Sequence, residues 1–237
     1  MKIALVDDDA ICGQFAEHAL HEGGYVAEIF TSVGAFKRAF QRDTFDMIFL
    51  DWVMPEMTGI EVLTWLQQSA GSHVPVIMIS SKADSADIAE ALEAGADDYV
   101  VKPLDPTILL ARVNALARRT YGKRRSDVAL SINGVVLNPH SGQASVNGET
   151  IELTTKEFEL AHSLFKNLGR PLSRSYLLES LWGKNRDVIT RTLDAHISKI
   201  RRKLDLRPEN GFVLQTIYGY GYRLELVDNG QAPEAAG

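Results

Sequence analysis

The chain has 237 residues, 45% of them hydrophobic, a formal net charge of −6 and a single cysteine, Cys12. That length predicts two domains with real cores, and one cysteine excludes both an internal disulfide and a cysteine-based zinc site. No apolar run approaches a membrane span, and the opening MKIALVDDD puts three acids where a signal peptide needs its apolar core, so a cytoplasmic protein is expected.

Residues 1–119 alternate short apolar runs with longer amphipathic stretches. The runs Ile3–Val6, Tyr25–Phe30, Met47–Leu50, Val76–Ile79 and Tyr99–Val101 read as strands, mostly covered on both faces. Helices are predicted near Ile11–Glu22, Val33–Arg42, Gly59–Gln68, Ser85–Ala94 and Thr107–Arg118, the last opened by Pro106 and the first capped by Asp9. Five such units predict an α/β, flavodoxin-like doubly wound parallel sheet. Gly122 and the basic run after it place a linker at 120–127.

Residues 128–227 change character. Asn133-Gly134, Ser141-Gly142 and Asn147-Gly148 are hairpin signals and predict a small antiparallel sheet. Thr154 and Glu157 have capping-box spacing before a helix over Glu157–Leu168, and Ser173 caps a second helix reaching Trp182. A third helix is expected over Ile189–Leu204, then a hairpin of Phe212–Ile217 and Tyr222–Val227, and a disordered tail at 228–237. This second domain reads as α+β.

Charge divides the same way. Residues 1–119 carry 9 Lys/Arg against 18 Asp/Glu, whereas the remainder carries 16 against 13. Lys184–Arg207 alone has 8 basic residues and 3 acids, a balance suited to phosphate backbones.

In the first domain, polar residues stand at the ends of the apolar runs: Asp7-Asp8-Asp9, Asp51, Ser80-Ser81 and Lys102-Pro103. An open parallel sheet gathers those ends on one rim. Crowded carboxylates need a cation, and an all-oxygen set suits Mg²⁺. With a lysine and a hydroxyl beside them, they would neutralise and orient a phosphoryl group, and a carboxylate, best Asp51, would act as nucleophile.

The first 119 residues resemble a response-regulator receiver domain throughout. The resemblance implies that Asp51, in FLDWVMPEMTG, is the phosphoacceptor. It also implies that Asp7 and Asp8 form the acidic pocket, that Asp8, Asp51 and the Val53 carbonyl hold Mg²⁺, and that Lys102 pairs with the phosphoryl group. Ser80 and Tyr99 are the implied switch pair, Tyr99 rotating inward on phosphorylation, and Lys102-Pro103 is expected cis. Trp52 departs from the smaller aliphatic usual at its position. Within the OmpR/PhoB type, a dimer through the fourth helix, fifth strand and fifth helix is implied. Asp97, Asp98, Arg112 and Arg119 match its charged network, while Ile88 and Ile108 stand where an ion pair is common and Asn114 where a basic residue would face Glu93.

On the third helix of the second domain, Leu193, Ile197, Ile200 and Leu204 share one arc at 100° per residue, and Thr192, His196, Lys199 and Lys203 share another, with Arg191, Ser198 and Arg202 adjoining it. A helix with a basic face and an anchored back fits a major groove. Residues 128–227 resemble the winged-helix effector of OmpR/PhoB-type regulators through LTTKEFEL, RTLDAHISKIRRKL and GYGYRL. The resemblance implies DNA contacts at Arg191, His196, Lys199 and Arg201, and at Thr216 and Tyr222 near the wing; Arg202 joins them by its basic surface. Tyr218 stands where an arginine often reaches the minor groove. Lys184–Asp187 would face RNA polymerase.

The expected protein is therefore a transcription regulator phosphorylated by a sensor histidine kinase. It acts on no external substrate beyond Mg²⁺-dependent self-phosphorylation and slow self-dephosphorylation. An aspartyl-nucleophile phosphatase would need a second acid where Val53 stands, and a protein-interaction adaptor would not bind DNA.

Overall fold

Strands covered on both faces need apolar side chains, and β1 (Lys2–Val6), whose buried Lys2 pairs with Asp43 at 2.7 Å, supplies them from Ile3 to Val6. In the computed structural model, which describes residues 1–69, 74–122, 129–183 and 190–227 without the side chains of Thr190 and Arg191, it lies between two neighbours. The chain continues through α1 (Ala10–Glu22), β2 (Val26–Phe30), α2 (Val33–Phe40), β3 (Met47–Asp51), α3 (Gly59–Ser69), β4 (Val76–Ser80), α4 (Ser85–Glu93), β5 (Asp98–Val101) and α5 (Pro106–Tyr121). The five strands pair in parallel in the order β2-β1-β3-β4-β5. Alternate residues feed two cores: Ala4, Val6, Ile48, Leu50 and Met78 on one face, Ile3, Leu5, Phe49, Ile77 and Ile79 on the other.

The strand order reverses between β1 and β3, which opens a crevice at their carboxyl ends. Asp9 caps α1, its side chain accepting from the amides of Ile11 and Cys12, as its position predicts. Helix α5 runs two residues past position 119 to Tyr121, whose hydroxyl donates to the Asp46 carbonyl at 2.6 Å. A tertiary hydrogen bond holds this last turn, and local propensity gives no hint of it.

The chain divides into two units, Met1–Arg124 and Arg125–Gly237. Positions 123–127 of the expected linker, residue 128, Lys184–Asp187 and the tail at 228–237 lie outside the described residues.

The second unit opens with the meander β6 (Leu130–Ile132), β7 (Val135–Asn138), β8 (Gln143–Val146) and β9 (Glu149–Ile151). Its turns are those predicted: Asn133 and Gly134 both have positive φ, as do Asn147 and Gly148. Next come α6 (Thr155–Lys166), β10 (Leu172–Ser173), α7 (Arg174–Trp182), α8 (Thr190–Lys203), β11 (Phe212–Ile217) and β12 (Gly221–Leu226). Thr154 and Glu157 form the capping box of α6, and Ser173 caps α7. The strand β10 has no sequence signal because it is two residues long. It pairs with β12 only because Gly221 lacks a side chain: a Cβ there would lie 2.1 Å from the Leu172 carbonyl oxygen. The arc Leu193, Ile197, Ile200 and Leu204 is buried, as the periodicity requires.

Candidate functional site

The rim of the parallel sheet gathers the four strand ends. Asp7 follows β1, Asp51 ends β3, Ser80 ends β4 and Lys102 follows β5. The Lys102 ammonium stands 2.9 Å from Asp7 Oδ2 and 2.9 Å from Asp51 Oδ1. Carboxylate oxygens of Asp7, Asp8 and Asp51 lie within 4.8 Å of one another, Asp7 and Asp51 buried and Asp8 exposed. The Lys102–Pro103 bond is cis. Behind the pocket Gly59 lets the chain turn back: its amide donates to the Trp52 carbonyl at 2.8 Å, and a Cβ would lie 2.4 Å from the Asp51 carbonyl oxygen.

Burial is the main cause that raises the Asp51 carboxyl above its ordinary pKa; Asp7 adds to it, while Lys102 and the Val53 backbone pull against it. Burial also works against the Lys102 ammonium, but its contacts with Asp51 and Asp7 outweigh that and raise its pKa. Asp7 Oδ2 is enclosed and takes no well-aligned hydrogen bond among the described residues, the ammonium being its charge partner. An enclosed, under-coordinated oxygen beside two more carboxylates is a donor set that suits a hard divalent cation. Sequence reasoning gave Cys12 no role; burial, then a hydrogen bond to Asp7, push its thiol up to about 12, which makes it a poor nucleophile.

The expected switch pair, Ser80 and Tyr99, stands at β4 and β5. Tyr99 is already inside: its ring is buried and packs edge-on to Trp52 with centroids 6.2 Å apart, and its hydroxyl donates to the Lys82 carbonyl at 2.8 Å. The ring thus occupies the inward position that the resemblance implies for it. The Ser80 hydroxyl accepts from the Lys82 amide at 3.1 Å. Trp52 is buried beside Tyr99, and the Lys82 ammonium rests 4.3 Å from its ring centroid.

In the second unit, α8 turns its basic face outward. Lys199 and Arg202 are exposed, Lys199 with a loose 3.8 Å approach to Glu157. His196 is half-buried, its ring edge-on to Trp182 and its Nδ1 2.7 Å from the Thr192 carbonyl. Thr216 is exposed on β11, and Tyr218 is fully exposed between β11 and β12. Two expected contacts are engaged in the fold. The Arg201 guanidinium donates to the Leu214 carbonyl at 2.8 Å. Tyr222 is buried, with its hydroxyl donating to Asp194 and accepting from Arg174 at 3.1 Å. The side chain of Arg191 lies outside the described residues.

Comparison with known proteins agrees with both halves. Residues 3–114 match the response regulator receiver domain family, and residues 148–224 match the family described as transcriptional regulatory protein, C terminal. The sensory transduction protein RegX3 of Mycobacterium tuberculosis is 36% identical over 225 residues, covering 94% of this chain and 98% of the relative. The chain belongs to the OmpR/PhoB-type response regulators. The DNA-binding response regulator MtrA of the same organism is 34% identical over 222 residues, 94% of this chain and 96% of that one. Among solved structures, the response regulator DrrB, a Thermotoga maritima OmpR/PhoB homolog, is 29% identical with a TM-score of 0.45, covering 94% of this chain and 98% of that one.

The residues expected at the dimer face of this response regulator lie on or beside α4, β5 and α5. Arg112 pairs with Asp98 at 2.7 Å, and Arg119 donates to the Asp97 carbonyl at 3.2 Å, while the Asp97 carboxylate accepts from the Val76 amide. All three contacts stay within the receiver. Ile88 is half-buried and packs into the core, whereas Ile108 is 52% exposed. The apolar surface near α4 comes from Leu92, 46% exposed, which the sequence reading did not name. Asn114 does not reach toward Glu93: it accepts from the Tyr25 hydroxyl at 2.6 Å.

Two further ion pairs escaped the sequence reading. Glu157 was recognised as a cap, yet it also binds Lys203 at 2.7 Å. Arg174 and Asp194 form a 2.7 Å ion pair around Tyr222. Their partners lie on other elements, so no local spacing marks them. No helix among the described residues is long and apolar enough to cross a membrane.

Proposed function

We propose that Asp51 accepts a phosphoryl group from a sensor histidine kinase, and that this charge controls DNA binding by the second unit. The observation that carries the reading is the single ammonium of Lys102 held 2.9 Å from both Asp7 and Asp51, with Asp8 alongside. An Asp51 oxygen attacks phosphorus, the bond from phosphorus to the kinase's histidine nitrogen breaks, and an acyl phosphate forms. Lys102, already in place, offsets the charge that develops on the phosphoryl oxygens. Asp7, Asp8, Asp51 and the Val53 carbonyl would hold Mg²⁺, which supplies further neutralisation and orientation of those oxygens when bound. Ser80, its hydroxyl proton free to donate, then meets the phosphoryl group. Self-phosphorylation and slow self-dephosphorylation are the only chemistry required.

Phosphorylation replaces the single charge of the Asp51 carboxylate with nearly two on the phosphoryl oxygens, a net gain of about one negative charge on a rim that already repels it. The response is a rearranged α4-β5-α5 face that pairs with a second copy through Ile108 and Leu92, with Asp97, Asp98, Arg112 and Arg119 around them and Ile88 beneath. Two linked DNA-binding domains then gain avidity for adjacent half-sites of promoter DNA. Lys199, Arg202, His196 and Arg191 on α8 supply the contacts, mainly to phosphates, with Thr216 on the wing. Arg201 and Tyr222 serve by holding α8 against the hairpin. Lys184–Asp187 would face RNA polymerase, and the cytoplasm is the compartment where kinase, promoter and regulator meet.

The test compares the full chain with Asp51→Asn, with and without a small phosphodonor and Mg²⁺. The donor should promote dimerisation and tighten promoter binding in the first only. An unchanged response in Asp51→Asn would contradict the reading.

A further inference from the structure

Asp194 is an acid on the helix that carries the basic face, and two neighbours hold it by one oxygen. The Tyr222 hydroxyl donates to its Oδ1, and the Arg174 guanidinium stands 2.7 Å from the same atom. Both anchors are themselves fixed. Tyr222 is buried on β12 and its hydroxyl also accepts from Arg174 at 3.1 Å, while the Arg174 amide donates to the Tyr220 carbonyl at 3.0 Å. Asp194 Oδ2 takes no hydrogen bond or ion pair among the described residues, and the side chain is 50% exposed. The carboxylate is thus pinned on one side and open on the other.

Its surroundings on α8 suit a close approach. Asp194, Ala195 and Ser198 are exposed and short, so a base edge can come near them, whereas the exposed long cations Lys199 and Arg202 follow toward the C-terminal end, where they reach phosphates. A carboxylate on such a face repels the phosphate backbone whatever the sequence, and attracts only where a base presents a donor. The Tyr222 hydroxyl and, against some burial, Arg174 hold its carboxyl below the ordinary pKa, so Oδ2 stays an acceptor.

We infer that Asp194 reads sequence: its open Oδ2 accepts from the exocyclic amino group of a cytosine in the major groove. The inference rests on the reading of α8 as the helix that contacts DNA, and it adds a base contact to the phosphate contacts of Lys199 and Arg202. Cytosine N4 is the donor best suited. Adenine N6 stands beside the N7 acceptor, which repels a carboxylate, and guanine and thymine offer only acceptors along that groove. Pinning through Oδ1 makes the contact selective, since the carboxylate cannot turn away from a wrong base without breaking two bonds.

The probe is a pool of DNA duplexes with a randomised stretch, from which the full chain, treated with a small phosphodonor and Mg²⁺, selects its preferred sites. Wild type should favour cytosine at one position of its site by about five- to twenty-fold, the discrimination of a single charge-assisted base contact. Asp194→Ala should lose the preference at that position and keep the others. Asp194→Asn keeps an Oδ1 for Tyr222 and Arg174 and turns an amide donor outward, so the preference should change to a base that offers an acceptor, guanine or thymine. A merely structural role for Asp194 would lower affinity on every sequence alike and change no preference. Wild type should also lose about the same factor when that cytosine is replaced by a pyrimidinone lacking the amino group, and Asp194→Ala should be indifferent to the replacement. The pyrimidinone titration needs the wild-type chain alone, and so decides even where a variant fails to fold. One base profile shared by wild type, Asp194→Ala and Asp194→Asn would overturn the inference, as would full wild-type affinity for the pyrimidinone duplex. If wild type enriches no sequence at all, the reading of α8 as a DNA-contacting helix falls first and this inference with it.

Discussion

Lys203 Nζ lies 2.7 Å from Glu157 Oε2, across 46 residues of sequence, so one buried carboxylate both caps α6 and anchors the last turn of α8. Burial alone would raise the pKa of Glu157, but Lys203, the Thr154 amide and Lys199 overcome it and lower it. Replacing Glu157 with Ala removes its half of the capping box and leaves the Lys203 ammonium, among the described residues, with only the Glu152 carbonyl, 2.8 Å away. The expected cost is about 2 kcal/mol, below that of a fully buried pair because the Lys203 side chain is 30% exposed. Chemical denaturation of the full chain, followed by a signal from the second unit, should report that loss.

DNA contacts and DNA scaffolding should separate by salt dependence. Lys199→Ala and Arg202→Ala should each weaken promoter binding and lower the slope of log affinity against log salt by about one. Tyr222→Phe removes a hydroxyl held between Asp194 and Arg174 and should cost about 1 kcal/mol of stability with the slope unchanged. Filter or anisotropy titrations at several salt concentrations distinguish the two behaviours. A reduced slope in Tyr222→Phe would return it to the contact surface.

Asp51 should be a liability to folding when no phosphoryl group is bound. Its carboxyl is raised chiefly by burial, so the folded state holds the proton more tightly than the unfolded chain. Stability from this group is fully present below the unfolded value near 3.8 and is lost as pH rises through the folded pKa. Asp51→Asn should therefore stabilise the receiver at neutral pH by on the order of 1 kcal/mol, with Lys102 keeping Asp7 as its partner. That gain should shrink toward pH 4, as thermal melts across the range would show.

The proposed dimer face makes a prediction opposite to that of a charged interface. Ile108→Glu should abolish donor-dependent dimerisation in sedimentation experiments, and the wild-type dimer should persist at high salt, because apolar contacts are not screened. Ile88→Ala, in contrast, should lower stability, since Ile88 packs into the core.

Much of the pocket was legible in the sequence because Asp7, Asp51, Ser80 and Lys102 each stand at the end of an apolar run, and a parallel sheet brings such ends together. Helical periodicity placed the buried arc of α8, and the Asn-Gly pairs placed the turns at Asn133 and Asn147. What escaped depends on rotamers and on long-range partners. Tyr99 reads as a mobile aromatic until Trp52 and the Lys82 carbonyl are seen to hold it inside. Arg201 reads as one more surface cation, yet β11 is an edge strand with a free carbonyl at Leu214, and Arg201 is the donor in reach. Asn114 meets Tyr25 from 89 residues away, a pairing that no helical wheel displays.

The central claim is that Asp51 is the residue that carries the phosphoryl group. Incubation with a small phosphodonor and Mg²⁺, followed by mass analysis of the intact chain and its peptides, tests it most directly. One added phosphoryl group, located on the peptide containing Asp51, lost at alkaline pH and absent from Asp51→Asn, is the predicted result. Equal labelling of Asp51→Asn, or labelling of the wild type on any other residue, would contradict it.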